Sequence, residues 1–209
     1  DVQHVAEIFN TLLTGAYNWD YSEQDHRIRK LYALGKQLNW DAEVNIDWRQ
    51  TPDAIDLPPR TEQEKDQALA EFREGFPFAG YQPYEDMDKE TKPNLHRHLN
   101  SWFVSQFLHG EQGALLVASQ LASCAPSFNA KLYAASQTFD EARHVEVFNK
   151  YIQQKMGLMY PVNRSVKALL DKILTDPRWD LKFIGMQIII EGLALAAFNV
   201  AKMNTKDPV

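Results

Sequence analysis

One glutamate stands inside the most apolar stretch of this chain. The run Phe183-Ile184-Gly185-Met186-Gln187-Ile188-Ile189-Ile190-Glu191-Gly192-Leu193-Ala194-Leu195-Ala196-Ala197-Phe198 is greasy on almost every side of a helix, a pattern that predicts a helix buried all round. An isolated ionised carboxylate is very costly in such a place, so Glu191 must be protonated, paired with a cation or bound to a metal. No Lys or Arg lies one helical turn away to pair with it. Whatever this chain folds into has to keep that carboxyl protonated or bring a positive charge to it.

Two other places pose the same problem. Glu111 lies in Phe107-Leu108-His109-Gly110-Glu111-Gln112-Gly113-Ala114-Leu115, where its neighbours three and four residues away are all apolar. Glu141 lies in Asp140-Glu141-Ala142-Arg143-His144, and a Glu-x-x-His spacing puts a carboxylate and an imidazole side by side on one helix face. Bundle metal sites take paired ligands from a single helix in this way.

The helical periodicity that carries these acids is long. Residues 95–124, 129–156 and 179–203 each exceed an ordinary globular helix, so the expected fold is an all-α helical bundle. A crossover at 157–177, holding a short helix at 166–174, separates the second and third segments. Upstream, Val5, Ile8, Phe9, Leu12 and Leu13 fall at helical spacing, as do Ile28, Leu31, Tyr32, Gly35 and Leu38, and two short helices are expected there. The paired prolines of 51–59 mark a loop, 61–73 reads as a charged helix, and Pro77, Gly80, Pro83 and Pro93 break up 75–93. The chain thus divides into an N-terminal approach region, 1–93, and a bundle, 94–209.

Spacing gathers the acids into one site. Glu111 and Glu141 each stand roughly fifteen residues from the break at Ala125-Pro126, or about 22 Å of helix at 1.5 Å per residue. In an antiparallel hairpin they are level, and Glu191 comes about twelve residues into the third long helix, at the same height. Two ferrous ions would be balanced by four carboxylates with one imidazole each. Three of those carboxylates and one of those imidazoles are present. A further Glu-x-x-His is expected on a fourth helix, roughly fifteen residues beyond Val209 by the same rise per residue.

Charge and cysteine content narrow the function classes. Lys+Arg number 22 against 28 Asp+Glu, a net charge of −6, which disfavours a nucleic-acid binder. A single cysteine, Cys124, permits no internal disulfide, and a reducing, cytoplasmic setting is the expectation. With no secretory leader pattern and no uninterrupted run of 18 apolar residues, no membrane association is expected either.

With these residues in view, residues 95–209 resemble the ferritin-like di-iron carboxylate proteins, specifically the branch of ribonucleotide reductase small subunits and bacterial di-iron oxygenases. Leu31-Tyr32 through Trp40, with Asp47-Trp48, is similar to the N-terminal approach segment of that branch. The resemblance implies Glu111, Glu141, His144 and Glu191 as metal ligands. It implies Asp140 as a hydrogen-bond partner of a histidine in the other half-site, and Arg143 as the charge that neutralises Asp140. It further implies two iron ions, or an iron–manganese pair, with O2 as co-substrate, a small organic substrate, an electron-donating reductase and a homodimer. Radical-generating reductase subunits usually carry a tyrosine four residues after the ligand histidine, where this chain has Phe148. The resemblance therefore leans toward an oxygenase or oxidase, hydroxylating or N-oxygenating its substrate. A reductase small-subunit-like protein and a ferritin-like iron- or ligand-binding protein without turnover are the alternatives.

Other candidates are set aside. Glu23-Gln24-Asp25-His26 is also Glu-x-x-His, but its charged surroundings put it on a solvated face. His96 and His98 are read as solvated, His109 as a packing or surface histidine, and Cys124 as a small buried apolar group. Gly110, Gly113, Ala114, Gly192, Ala194 and Ala196 either leave room for a cavity or permit close helix packing.

Overall fold

The computed structural model describes residues 8–22, 25–51, 61–63, 78 and 80–204; among them the protein is all-α, with no strand. Two long antiparallel helices form its spine, α4 (Thr91–Cys124) and α5 (Phe128–Tyr151). The hairpin between them is set locally. Ala125 is extended, as a residue before proline prefers, and the Ser127 hydroxyl accepts from the Ala130 N–H to start α5. Before the spine come α1 (His26–Gln37), α2 (Ala42–Asn45), a 3-10 turn (Trp48–Gln50) and α3 (Gln82–Glu85). After it come α6 (Arg164–Thr175), α7 (Trp179–Phe183) and α8 (Glu191–Asn204).

Two stretches are wound as π-helix: Ile152–Met156, which extends α5, and Ile184–Ile190, which joins α7 to α8. The first ends at Gly157, whose φ of 66° is left-handed and whose N–H reaches back to the Ile152 carbonyl. The crossover is then stitched along α4. The Ser105 hydroxyl accepts from the Tyr160 N–H, Gln106 bonds the Pro161 carbonyl and the Asn163 N–H, and His109 donates to the Tyr160 carbonyl at 2.8 Å.

The core sits at the hairpin end of the spine. Val117, Leu121 and Cys124 of α4 meet Ala134 of α5, Ile173 and Leu174 of α6, and Met186 of the π segment. Cys124 is buried, as expected. Lys182 is completely buried and donates to the carbonyls of Ile173 (2.9 Å) and Leu174 (2.6 Å), so a cation satisfies orphan acceptors at the C-terminal end of α6.

Several sequence expectations are corrected. Residues 8–22 form no helix; they run as an extended strap over the hairpin, with Phe9 and Leu13 against the core and Ile8 and Leu12 exposed. Asn10, Thr11, Thr14, Gly15 and Asn18 are weak helix formers, and the strap's polar groups bond outward instead: Ala16 N–H to the Ser123 carbonyl, Asn18 to the Pro126 carbonyl. Val5 and most of 61–73 lie outside the described residues. Pro93 does not delay α4, which starts at Thr91 with Asp88 accepting from the Glu90 and Thr91 N–H groups; a proline in the first turn removes a donor that had no partner anyway. His96 is not solvated. It is buried against Tyr84 of α3, stacked with it and sharing a 2.6 Å hydrogen bond. His98 bonds the Tyr160 hydroxyl.

The largest correction concerns α7–α8. Only a stripe of it is covered, with Met186 fully buried, while Ile188 is 55% and Leu193 65% exposed. An all-round apolar helix needs neighbours on every side, and the described residues supply them on one. Residues Trp179–Met203 are also long and apolar enough to cross a bilayer on length and composition alone.

The glycines divide by role. A Cβ at Gly113 would come within 2.3 Å of Leu170, so this glycine lets α6 lie close on α4, whereas a Cβ at Gly110 or Gly192 meets nothing within 4 Å. Gly110→Ala is expected to stabilise the protein by about 0.5–1 kcal/mol through helix propensity. Gly113→Ala is expected to cost about 1 kcal/mol net, since overpacking of about 1–3 kcal/mol outweighs the same propensity gain; paired thermal unfolding curves check both. Burial, then the charge of Lys92, holds the His96 pKa below the usual imidazole value. The unfolded chain therefore binds the extra proton first, and stability is expected to fall as the pH drops below about 6.5. Urea midpoints in mildly acidic and neutral buffer, compared with His96→Gln, should show that slope shrink in the variant.

Candidate metal centre

The site is assembled midway along the spine. Glu111 of α4 and Glu141 of α5 are both buried and face each other across the hairpin. His144, one turn on from Glu141, presents its Nδ1 to both, 3.2 Å from Glu111 Oε2 and 3.0 Å from Glu141 Oε2. One donor atom from each of the three lies within 4.8 Å of the others, and no other such cluster occurs among the described residues. The level placement expected from hairpin arithmetic is thus what brings these side chains together.

Electrostatics in the cluster follow from two acids sharing one imidazole. Burial raises the Glu141 pKa, and its contact with the Glu111 carboxylate pushes the same way. The two carboxylates raise the His144 pKa well above the usual imidazole value. Glu191 stands outside the 4.8 Å group, at the first residue of α8, but near enough that the charge of Glu111 adds to burial in raising its pKa. It is half-buried.

The winding before Glu191 bears on where it faces. Its own N–H reaches the Met186 carbonyl, a π-type bond, and an extra residue within a helix rotates everything after it; such bulges occur often at functional sites. One turn below the acids, Gln137 of α5 hydrogen-bonds Gln187 of the π segment and ties the two helices together.

Asp140 and Arg143 pair with each other. Arg143 is buried and donates both to Asp140, through Nη2, and to the Trp40 carbonyl, at 2.9 Å through Nη1. Its guanidinium lies over the Trp40 ring at 4.7 Å and the Phe139 ring at 5.2 Å. Trp40 in turn stacks on His144, ring centroids 6.1 Å apart. The N-terminal region therefore closes one flank of the cluster through Trp40, leaving the His144 side chain 40% exposed.

An aromatic layer lies on the other side of the acids along the bundle axis. Phe107 is one turn from Glu111, Phe148 one turn from His144 and Phe198 two turns from Glu191; the three rings pack with centroids 4.8 to 6.1 Å apart. Sequence reasoning passed over Tyr133, two turns from Glu141 on α5. Burial, followed by the charges of Asp140, Glu191 and Glu141, raises its pKa. Its spacing of eight residues from Glu141 is the signal that could have found it. Of the set-aside motif Glu23-x-x-His26, Glu23 lies outside the described residues, and His26 is exposed at the start of α1, where Asp25 is the capping residue.

No family model, curated protein or solved structure matches this chain. The chemistry of the site rests on its own donors. Two buried carboxylates and an imidazole are oxygen and nitrogen ligands of the kind that suit iron, manganese or zinc, and a bound cation would relieve the repulsion between the two acids. The residues fit a metal on those grounds. Ferrous, manganous or zinc ion at about 100 times its Kd is expected to raise unfolding stability by about 2.7 kcal/mol. The increment should vanish in Glu111→Gln/Glu141→Gln, as read by thermal unfolding with and without chelator.

Proposed function

We propose that this chain is a ferritin-like di-iron carboxylate protein and acts as an O2-dependent oxidoreductase, oxygenating a small organic substrate. The observation that carries the reading is the meeting of Glu111, Glu141 and His144 from two helices within 4.8 Å, the two acids buried, with Glu191 in electrostatic reach on a third. When bound, two iron ions or an iron–manganese pair would supply the redox chemistry with O2, taking electrons from a reductase.

The chain's own residues have distinct tasks in this reading. Glu111, Glu141, His144 and Glu191 hold the metal. Arg143 holds Asp140 in place, and the pair braces the helix turn that carries Glu141 and His144. Trp40 shields one face of the His144 ring, and Phe107, Phe148 and Phe198 exclude water from one end of the site. Phe148 has no phenolic hydrogen to give up, which favours oxygenation of a substrate over storage of a tyrosyl radical one turn from His144.

A second reading, metal binding without turnover, draws on the packing of the phenylalanines, which fill the space beside the acids. Two cavities among the described residues, of about 330 and 830 Å³, lie against α1, where Asp140 lines one, and at the hairpin end. Glu141→Ala tests the shared premise. Bound iron is expected to weaken by about tenfold or more, and an unchanged iron stoichiometry would sink the metal site. Iron-loaded protein supplied with reductant and O2 then separates the readings, since bound iron with neither O2 uptake nor any oxygenated product across a panel of arylamines and apolar acids favours the second.

A further inference from the structure

Helix α1 carries a charge opposite to that of the protein. Its twelve residues, HRIRKLYALGKQ, hold Arg27, Arg29, Lys30 and Lys36 and no acid, on a chain of net charge −6. The helix is also two-faced. Tyr32 and Gly35 turn inward to α5, where a Cβ on Gly35 would stand 3.4 Å from the Ser136 hydroxyl. Arg29 and Lys36 flank the Tyr32 ring at 5.4 and 4.9 Å.

The outward face has a different character. At 100° per residue, Arg27, Lys30, Leu31, Leu34 and Leu38 fall within one arc, and all five are exposed, the leucines by 44%, 46% and 64%. Leucines at i, i+3 and i+7 beside two cations form a small apolar centre with a basic edge. Exposed charge next to a compact apolar patch is how transient partners are steered and then held. The size suits a brief encounter, because electron-transfer contacts lie at the small end of interface areas.

This face is backed by the metal cluster. α1 packs on α5, the helix that carries Glu141 and His144, and three residues past its end Trp40 stacks on His144. A protein docked on α1 would have α1 and the flank of α5 between it and that cluster, more than one helix diameter of about 10 Å.

We propose that the outer face of α1 is the docking surface for an acidic one-electron carrier protein. This rests on the reading of the site as a redox metal centre: on each encounter the carrier's centre is oxidised by one electron and the metal site is reduced by one. The occupant is an acidic protein because the face is basic against an acidic molecule and its apolar part is three leucines wide.

The test measures binding, which requires no turnover. Full-length metal-free protein is titrated with an acidic plant-type [2Fe–2S] ferredoxin by fluorescence anisotropy, at about 50 mM and about 300 mM salt. The expected result is a Kd that rises about tenfold with salt, and about tenfold in Arg27→Glu/Lys30→Glu and in Leu34→Ser, but not in Lys172→Glu on the distant α6. These positions are exposed, so unchanged circular dichroism and unfolding midpoints certify the fold. No measurable binding, or binding indifferent to the α1 variants, overturns the docking surface. So does α1-dependent capture on phosphatidylglycerol vesicles in place of ferredoxin, which would make the face a membrane contact. Ferredoxin docking that survives while iron fails to bind leaves the surface standing and removes only the redox reading.

Discussion

Two buried carboxylates on opposite helices share one imidazole, and the rest of the architecture is arranged around that contact. Glu111 and Glu141 could not both be ionised and close together without a neighbouring positive charge. His144 supplies part of it, held between them at 3.2 and 3.0 Å. The spine hairpin sets their height, the core at its closed end locks the register, and Arg143 with Asp140 stiffens the turn that presents the histidine. A site of this kind costs stability in the metal-free chain, which is the usual bargain struck by functional centres.

Much of this was legible in the residues because it follows from counting along helices. Equal distances from the Ala125-Pro126 break are enough to bring Glu111 and Glu141 level, and i, i+3 spacing is enough to put His144 beside Glu141. α1, the long spine helices and the short crossover helix follow from periodicity, and the structure adds the caps Asp25, Ser127 and Asn163. What depends on tertiary choice was not legible. Phe9 and Leu13 have the spacing of a helix, yet pack on the core from an extended strap because its hydrogen bonds go to the hairpin. His96 sits among polar letters in the sequence but is buried by α3, a four-residue helix that no pattern announces.

The same limit applies at the site. The contacts that Arg143 and His144 both make with Trp40 span about a hundred residues of chain. They depend on where the N-terminal region lands, and spacing along α5 says nothing of it. The exposure of Ile188 and Leu193 is the converse case, in which an apolar pattern states a need for cover and leaves open what provides it.

The π-wound stretch Ile184–Ile190 has a consequence for how this chain tolerates change. A residue's direction on a helix is set by how many residues precede it, about 100° for each, and a π turn is one residue of surplus. Glu191 therefore owes its bearing toward Glu111 to a count, independent of which apolar side chains make it up. Substitutions at the exposed Ile188 and Ile189 can drift so long as the number of residues is kept, whereas Ile190 also packs on the core. Loss of a single one would let the segment relax to ordinary helix and swing the carboxylate, with everything after it, round to another side.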